Sequence, residues 1–389
     1  MRLAKDGGAS SERTTLDDAP DDSGDDVPDE ISDFSNLRSI LSASDTQDAY
    51  CRSPTYYDFT GRGKGWTVKY TVEGEDRYLI LVPHPNLRSA LLVFFPFVTT
   101  YSQLIDRVRH LSRFRKFLAR YDKVLLARIE EEIANQVLKH EDCASLGLKR
   151  FEEKLLDWIY PSYDLCVESL LSPRGAQFSK YRNKINKFRE QGINVVLARD
   201  MRPREFCRAI AKVNANWIRT KVKGGILSRE NITESELTAV LKAPYRALVR
   251  ASKTLESDID GIFLKRENDY IAFSLWETPS KWDTAPSFAS MTSSYEPGLS
   301  EYLYRCTAEH VKDQYRYICV GGSETASLDR FKRKFAPARV RTLRTIELLV
   351  QADRAKPPRQ RREIKLWLLP KTVLWIWRRS GSRRSQLST

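Results

Sequence analysis

The chain of 389 residues holds only four histidines, and its six cysteines are widely scattered. His84, His110, His140 and His310 lie far apart, without a second ligand at helical or loop spacing, so no metal site is expected. His140, Asp142 and Cys143 stand together, but in a polar stretch at a helix end, where they read as structural. Cys51, Cys143, Cys166, Cys207, Cys306 and Cys319 form no C-x-x-C pair, which implies reduced thiols in the cytosol rather than a disulfide framework. No apolar run reaches the ~18 residues of a membrane span. The N-terminus is polar and acidic where a secretory signal needs an apolar stretch, so a cytoplasmic location is expected. Walker, G-x-G-x-x-G and kinase signatures are all missing, which leaves nucleotide-driven chemistry without a site.

What the chain does have is charge, unevenly placed. Residues 1–50 hold thirteen acids against four bases, a net of −9, so the remainder of the +14 chain carries +23. So basic a body favours a polyanion, either nucleic acid or an anionic lipid surface, over a neutral partner. Residues 1–48 are acidic and interrupted by Pro20 and Pro28, and the composition predicts a disordered tail. A first α/β unit is expected over 49–150, a second over 151–350, and a basic, Trp-rich tail over 351–389. That tail could pack on the body or lie on a membrane surface.

Periodicity supplies the elements. Trp66, Val68, Tyr70 and Val72 alternate with Thr67, Lys69 and Thr71 as a half-buried strand, with Tyr78–Val82 and Leu91–Phe97 as neighbours. Leu104, Val108, Leu111 and Leu118 fall at helical spacing. Lys123–Ala127 reads as a strand and Ile129–Lys139 as a helix. The second unit opens with a strand at Asp157–Tyr160, a basic helix over Lys180–Arg189 and a strand at Asn194–Ala198. Phe206, Ile210, Val213 and Trp217 mark a helix begun near Pro203, and Thr233 with Glu236 form a capping pattern. Strands at Ile259–Lys265, Tyr270–Glu277, Ser287–Thr292 and Tyr315–Val320 alternate with helices at Gly298–Lys312 and Glu324–Phe335, and Val340–Leu349 closes the unit. This order describes an α/β (α+β) protein with mixed sheets flanked by helices.

The stretch SSYEPGLSEYLYRCTAEHVKDQYRYICVGGSETASLDRFKRKFAPAR, Ser293 to Arg339, carries the most information. A glycine opens a helix, a strand follows, and Gly-Gly-Ser-Glu opens a second helix ending in Phe331-Lys332-Arg333-Lys334-Phe335. Together with the aromatic-to-basic segment Tyr160–Phe188, it resembles the C-terminal domain of the phosphatidylglycerol lysyltransferases, GNAT-like N-acyltransferases related to the FemAB peptidyltransferases. The resemblance implies tandem GNAT-like units, with the acyl donor held where Ser287–Thr292 and Tyr315–Val320 splay apart.

On that resemblance Glu324 and Ser323 are the expected catalytic residues, and Lys180, Arg182, Lys184, Lys332, Lys334 and Gly298 the donor-binding ones. Other roles stay open for several of them: Glu324 as a first-turn acid complementing a helix dipole, the Lys332–Lys334 run as a solvated last turn, and Lys180–Arg189 as an exposed basic helix. The glycine cradle of acetyl-CoA enzymes is missing around Gly298, which with the basic body favours aminoacyl-tRNA as donor over acyl-CoA. No tightly bound cofactor is expected, only the donor as co-substrate. The acceptor, small molecule, lipid or peptide, is not legible. Two other readings stand beside aminoacyl transfer: an acyl-CoA-dependent N-acyltransferase of small-molecule biosynthesis, and a non-catalytic descendant that binds nucleic acid or a membrane.

Overall fold

The computed structural model describes residues 31–350, apart from 34–35, 45, 47, 86, 88, 153–159, 224–258, 279–281, 294–295 and 324–325. Glu324, residues 157–159 of the expected strand, the Thr233–Glu236 capping pattern, residues 1–30 and the tail over 351–389 lie outside the described residues.

The first sheet begins with β1 (Ile31–Ser32), β2 (Trp66–Val72), β3 (Glu75–Pro83), β4 (Ala90–Phe94), β5 (Lys123–Glu130) and β6 (Leu148–Phe151). The alternation read in β2 holds: Val68 and Tyr70 face an apolar core. Glu73 and Gly74, both at positive φ (52° and 83°), join β2 to β3 in a two-residue hairpin whose twist matches the strands. Helix α1 (Leu37–Ser42) and helix α2 (Pro54–Gly61) cover one face. Ser53 caps α2 by accepting from the Tyr56 N–H, and Pro54 sits in its first turn. On the other face lie α3 (Tyr101–Leu111), α4 (Arg115–Leu118) and α5 (Glu131–Lys139). Thr100 and Gln103 close a capping box on α3, whose Leu104, Val108 and Leu111 are buried as their spacing predicts.

The second sheet holds β7 (Ser162–Cys166), β8 (Ile193–Leu197), β9 (Ile259–Arg266), β10 (Asp269–Glu277), β11 (Thr284–Thr292), β12 (Tyr317–Cys319) and β13 (Arg339–Arg341). It is covered by α6 (Val167–Leu171), α7 (Ser179–Arg189), α8 (Pro203–Lys223), α9 (Leu299–Val311) and α10 (Ala326–Arg333). No described helix is long and apolar enough to cross a membrane.

The last strand, β14 (Leu343–Leu348), does not join this sheet. It enters the first, in the order β1-β2-β3-β4-β5-β14-β6, while β7 enters the second, in the order β13-β7-β12-β11-β10-β9-β8. The second sheet is therefore built wholly from residues after 151, and that half of the chain gives its last strand to the first sheet. The expected unit 151–350 is corrected at its C-terminal end alone, where β14 leaves it for the first sheet. The expected strand Val340–Leu349 is two strands in two sheets, separated by Thr342 alone. Alternation explains how β14 is held: Ile346 and Leu348 enter the core on one face of the first sheet, Leu343 the core on the other.

A second correction concerns the acidic tail. Its last residues are ordered, with Leu37 and Leu41 buried against the first sheet and Asp48 buried beside Arg128. The apolar spacing of Leu37, Ile40 and Leu41 is hidden in the sequence by the acids around it.

Candidate active site at the splayed parallel strands

In both sheets one pair of neighbouring strands is parallel. In the second sheet β11 and β12 pair over three positions only, Thr284↔Tyr317, Ala285↔Ile318 and Pro286↔Cys319. Pro286 has no N–H to extend a ladder. From Ser287 onward β11 pairs with β10 alone, and an opening lies between Ser287 and the segment after Cys319. This is where the resemblance located the donor.

The first unit supplies the floor. The Tyr50 hydroxyl, buried, donates to the Ser287 carbonyl. Beside it the Arg128 guanidinium lies 5.0 Å from the Tyr50 ring centroid and 5.2 Å from that of Tyr56. Arg128 donates to both Asp48 oxygens, at 2.6 and 2.9 Å. Its φ of 56° accompanies an irregularity in the β5–β14 register, which turns this side chain out of the strand alternation. Burial works to raise the Asp48 pKa, but the Arg128 charge and hydrogen bonds, with Arg341 beyond, outweigh it, and the carboxyl is held below its ordinary range. Arg341 in turn donates to both Asp164 oxygens, at 2.8 and 2.6 Å. Burial pushes the Cys319 thiol up to about 12 and the Cys51 thiol well above its usual value, so neither is a thiolate nucleophile near neutral pH.

One wall is the entrance of α9. Arg266 holds Glu296 at 3.2 Å, two residues before Gly298, and the Ser293 N–H donates to the Ile271 carbonyl at the end of β11. Gly298 caps α9 at φ 104°, where a Cβ would stand 2.9 Å from the Phe188 ring and 3.1 Å from Lys184 Cβ. The missing side chain lets α7 approach the start of α9. Lys184 Nζ then lies 2.5 Å from Glu301, a buried carboxylate in the first turn of α9, and Lys334 Nζ lies 3.9 Å from the same oxygen. Lys180, one turn before Lys184, adds its charge. Desolvation first, then repulsion from Lys184 and Lys180, lowers the Lys334 pKa against the pull of Glu301.

The other wall is Val320–Ser323. The buried Lys332 ammonium donates to the carbonyls of Val320 at 2.6 Å and Gly321 at 3.3 Å, and to that of Gly322. Ser323 is fully buried, and its hydroxyl has no hydrogen-bond partner among the described residues.

Four of the expected site residues, Lys180, Lys184, Lys334 and Gly298, thus meet at one helix entrance. Arg182 and Lys332 do not join them. Arg182 points from the opposite side of α7 and donates to the Pro173 and Gly175 carbonyls, at 3.0 and 2.9 Å. Lys332 is engaged by its three carbonyls, so it braces the loop rather than meeting a donor. Sequence reasoning missed Glu301, Tyr50, Asp48 and Arg128. Only Glu301 carried a readable signal, as a first-turn acid in a basic neighbourhood; the others lie far from the site in sequence.

The two sheets, each with one parallel strand pair, fit the acyltransferase architecture that the sequence resemblance implies. The family model described as phosphatidylglycerol lysyltransferase, C-terminal, matches residues 110–353, well over half of the chain, and the chain belongs to that family. No curated protein matches the chain. Among solved structures, a conserved protein of unknown function from Bacteroides thetaiotaomicron is similar at 13% identity and a TM-score of 0.56, with 81% of this chain and 96% of that one covered. L-PGS from Bacillus licheniformis is similar at 14% identity and a TM-score of 0.51, with 88% and 96% covered.

Proposed function

We propose that the protein transfers an aminoacyl group from aminoacyl-tRNA to an amine or hydroxyl acceptor, which is a small molecule, a lipid or a peptide. The observation that carries this reading is the convergence of Lys180, Lys184 and Lys334 on the entrance of α9, beside the β11–β12 opening. Three ammonium groups and a helix N-terminus suit a phosphate of the donor's 3′ end. Glu301 keeps two of the lysines gathered before the donor arrives. The missing glycine cradle around Gly298 and the basic body support tRNA over acyl-CoA.

In the reaction the acceptor nitrogen or oxygen attacks the aminoacyl ester carbonyl. The bond to the terminal ribose oxygen breaks, and the acceptor's proton leaves to that oxygen through a carboxylate. Glu324, one residue beyond the loop that Lys332 braces, is the proposed base, and Ser323 a proposed hydrogen-bond donor to the developing oxyanion. Turnover and donor affinity test the assignment. Glu324→Gln lowers turnover and leaves donor affinity intact; Lys334→Ala weakens donor affinity. Full activity in both variants would overturn the catalytic reading, and mass spectrometry showing CoA rather than tRNA on the purified protein would overturn the donor.

A further inference from the structure

The segment from Asp106 to Lys123 holds seven Lys or Arg against two acids, and it follows α3 and α4 along the outer face of the first sheet. This is the face turned away from the core that the first sheet shares with Cys319 of the second unit. Elsewhere the body pairs many of its cations: Lys184, Arg266, Arg305, Arg333 and Arg341 each have a carboxylate. Here Arg109 bridges to Asp106 and Asp142, but Arg107, Arg113, Arg115 and Lys116 have no ion-pair partner among the described residues. Like charges three and four residues apart cost a helix a few tenths of a kcal/mol each. The fold keeps that repulsion, which a bound polyanion would relieve.

The surface is also shaped. Arg107, Arg109, His110 and Arg113 line a cleft of 360 Å³ with Tyr70 and one acid, Asp106, which Arg109 bridges; the Arg107 guanidinium lies 4.2 Å from the Tyr70 ring centroid. A concave basic cleft with a stacked arginine suits a convex run of phosphates and an unstacked base. A bilayer surface calls instead for protruding apolar anchors, and of the large exposed hydrophobics only Tyr101 stands on this helix.

We infer that the outer face of α3 and α4 is an RNA-backbone docking surface, a second footprint for the tRNA body remote from the lysines that meet its 3′ end. The inference rests on the aminoacyl-tRNA reading. Its test is fluorescence anisotropy of labelled, unacylated tRNA on the full chain, with salt varied over about 50–200 mM. Arg113→Ala/Arg115→Ala/Lys116→Ala, all exposed, is compared with Lys180→Ala/Lys184→Ala and the parent. The outer-face variant is expected to bind roughly tenfold or more weakly, with a log–log salt slope shallower by about 2–3, at an unchanged melting temperature. If it binds as the parent does while the Lys180/Lys184 variant weakens, the surface is overturned and the donor site stands. A parent chain that binds no tRNA overturns both. Loss of binding to phosphatidylglycerol vesicles with tRNA affinity unchanged would assign the face to a membrane and overturn the RNA inference.

Discussion

The two parallel strand pairs use one topology for opposite ends. In the first sheet β4 and β5 pair over four positions, and Leu91, Leu92, Val93, Val124, Leu125 and Leu126 are all fully buried. Apolar side chains on both faces seal that junction, as expected of a parallel pair covered by helices on each side. In the second sheet the ladder stops at Pro286, and the segments beyond it carry polar groups: Ser287, Ser323, the Lys332 brace and the lysines around Glu301. One half is a wall and the other a mouth. On the proposed function, ending one ladder early confines the chemistry to the second unit, while the first contributes a floor through Tyr50 and Arg128.

The largest expected effect breaks that floor. Asp48→Asn leaves Arg128 buried without its carboxylate, a loss of about 3–5 kcal/mol in chemical denaturation. An unchanged midpoint would mean that the two units stand without the pair. The same pair carries a pH signature. Because the folded-state Asp48 pKa lies below its ordinary 3.8, its stabilisation is present above about pH 4 and is lost as pH falls through the lowered value. Acid denaturation monitored by circular dichroism should shift to higher pH in the Asn variant. Deleting residues 1–48 should for the same reason lower the melting temperature, against the expectation drawn from composition alone.

A smaller effect, about 1–3 kcal/mol, is expected from Lys332→Met, which strips the donor from three buried carbonyls. Turnover should fall much further than stability, since the loop before Glu324 loses its brace. Equal losses in both would make the brace merely structural. Gly298→Ala tests the opposite wall. The new Cβ meets the Phe188 ring at a positive φ, so roughly 1–3 kcal/mol is lost and α7 moves off the entrance of α9. Donor affinity, measured by anisotropy, should drop with it.

The smallest effect is a pH profile. Lys334 has a lowered pKa, so its ammonium is lost as pH rises through a value below the usual lysine range. Donor affinity should decline in that window, and the decline should vanish in Lys334→Ala. A profile shared by both proteins would exclude Lys334 from the donor site.

Much of the local structure was legible because it rests on short-range rules. The alternation in Trp66–Val72, the Leu104–Val108–Leu111 spacing and the basic helix through Lys184 all depend on neighbours a few residues away, and all three are seen. Reading failed where a distant partner decided the outcome. Leu37–Asp48 looked like more of the acidic tail because Arg128, which holds Asp48, is eighty residues away. Within Lys332-Arg333-Lys334 three adjacent cations look equivalent, yet a helix points them in different directions, so one braces a loop and another meets Glu301.

By itself, the sequence determined the fold class and most of the elements, since side-chain periodicity and turn chemistry act over a few residues. Only the tertiary structure decided which strand enters which sheet and which lysines share a carboxylate. Both are choices between chemically similar segments: β14 could have closed either sheet by its pattern, and Lys184 meets Glu301 across 117 residues of chain. Packing against a particular core and desolvation of particular charges make those choices, and neither is encoded in any one segment.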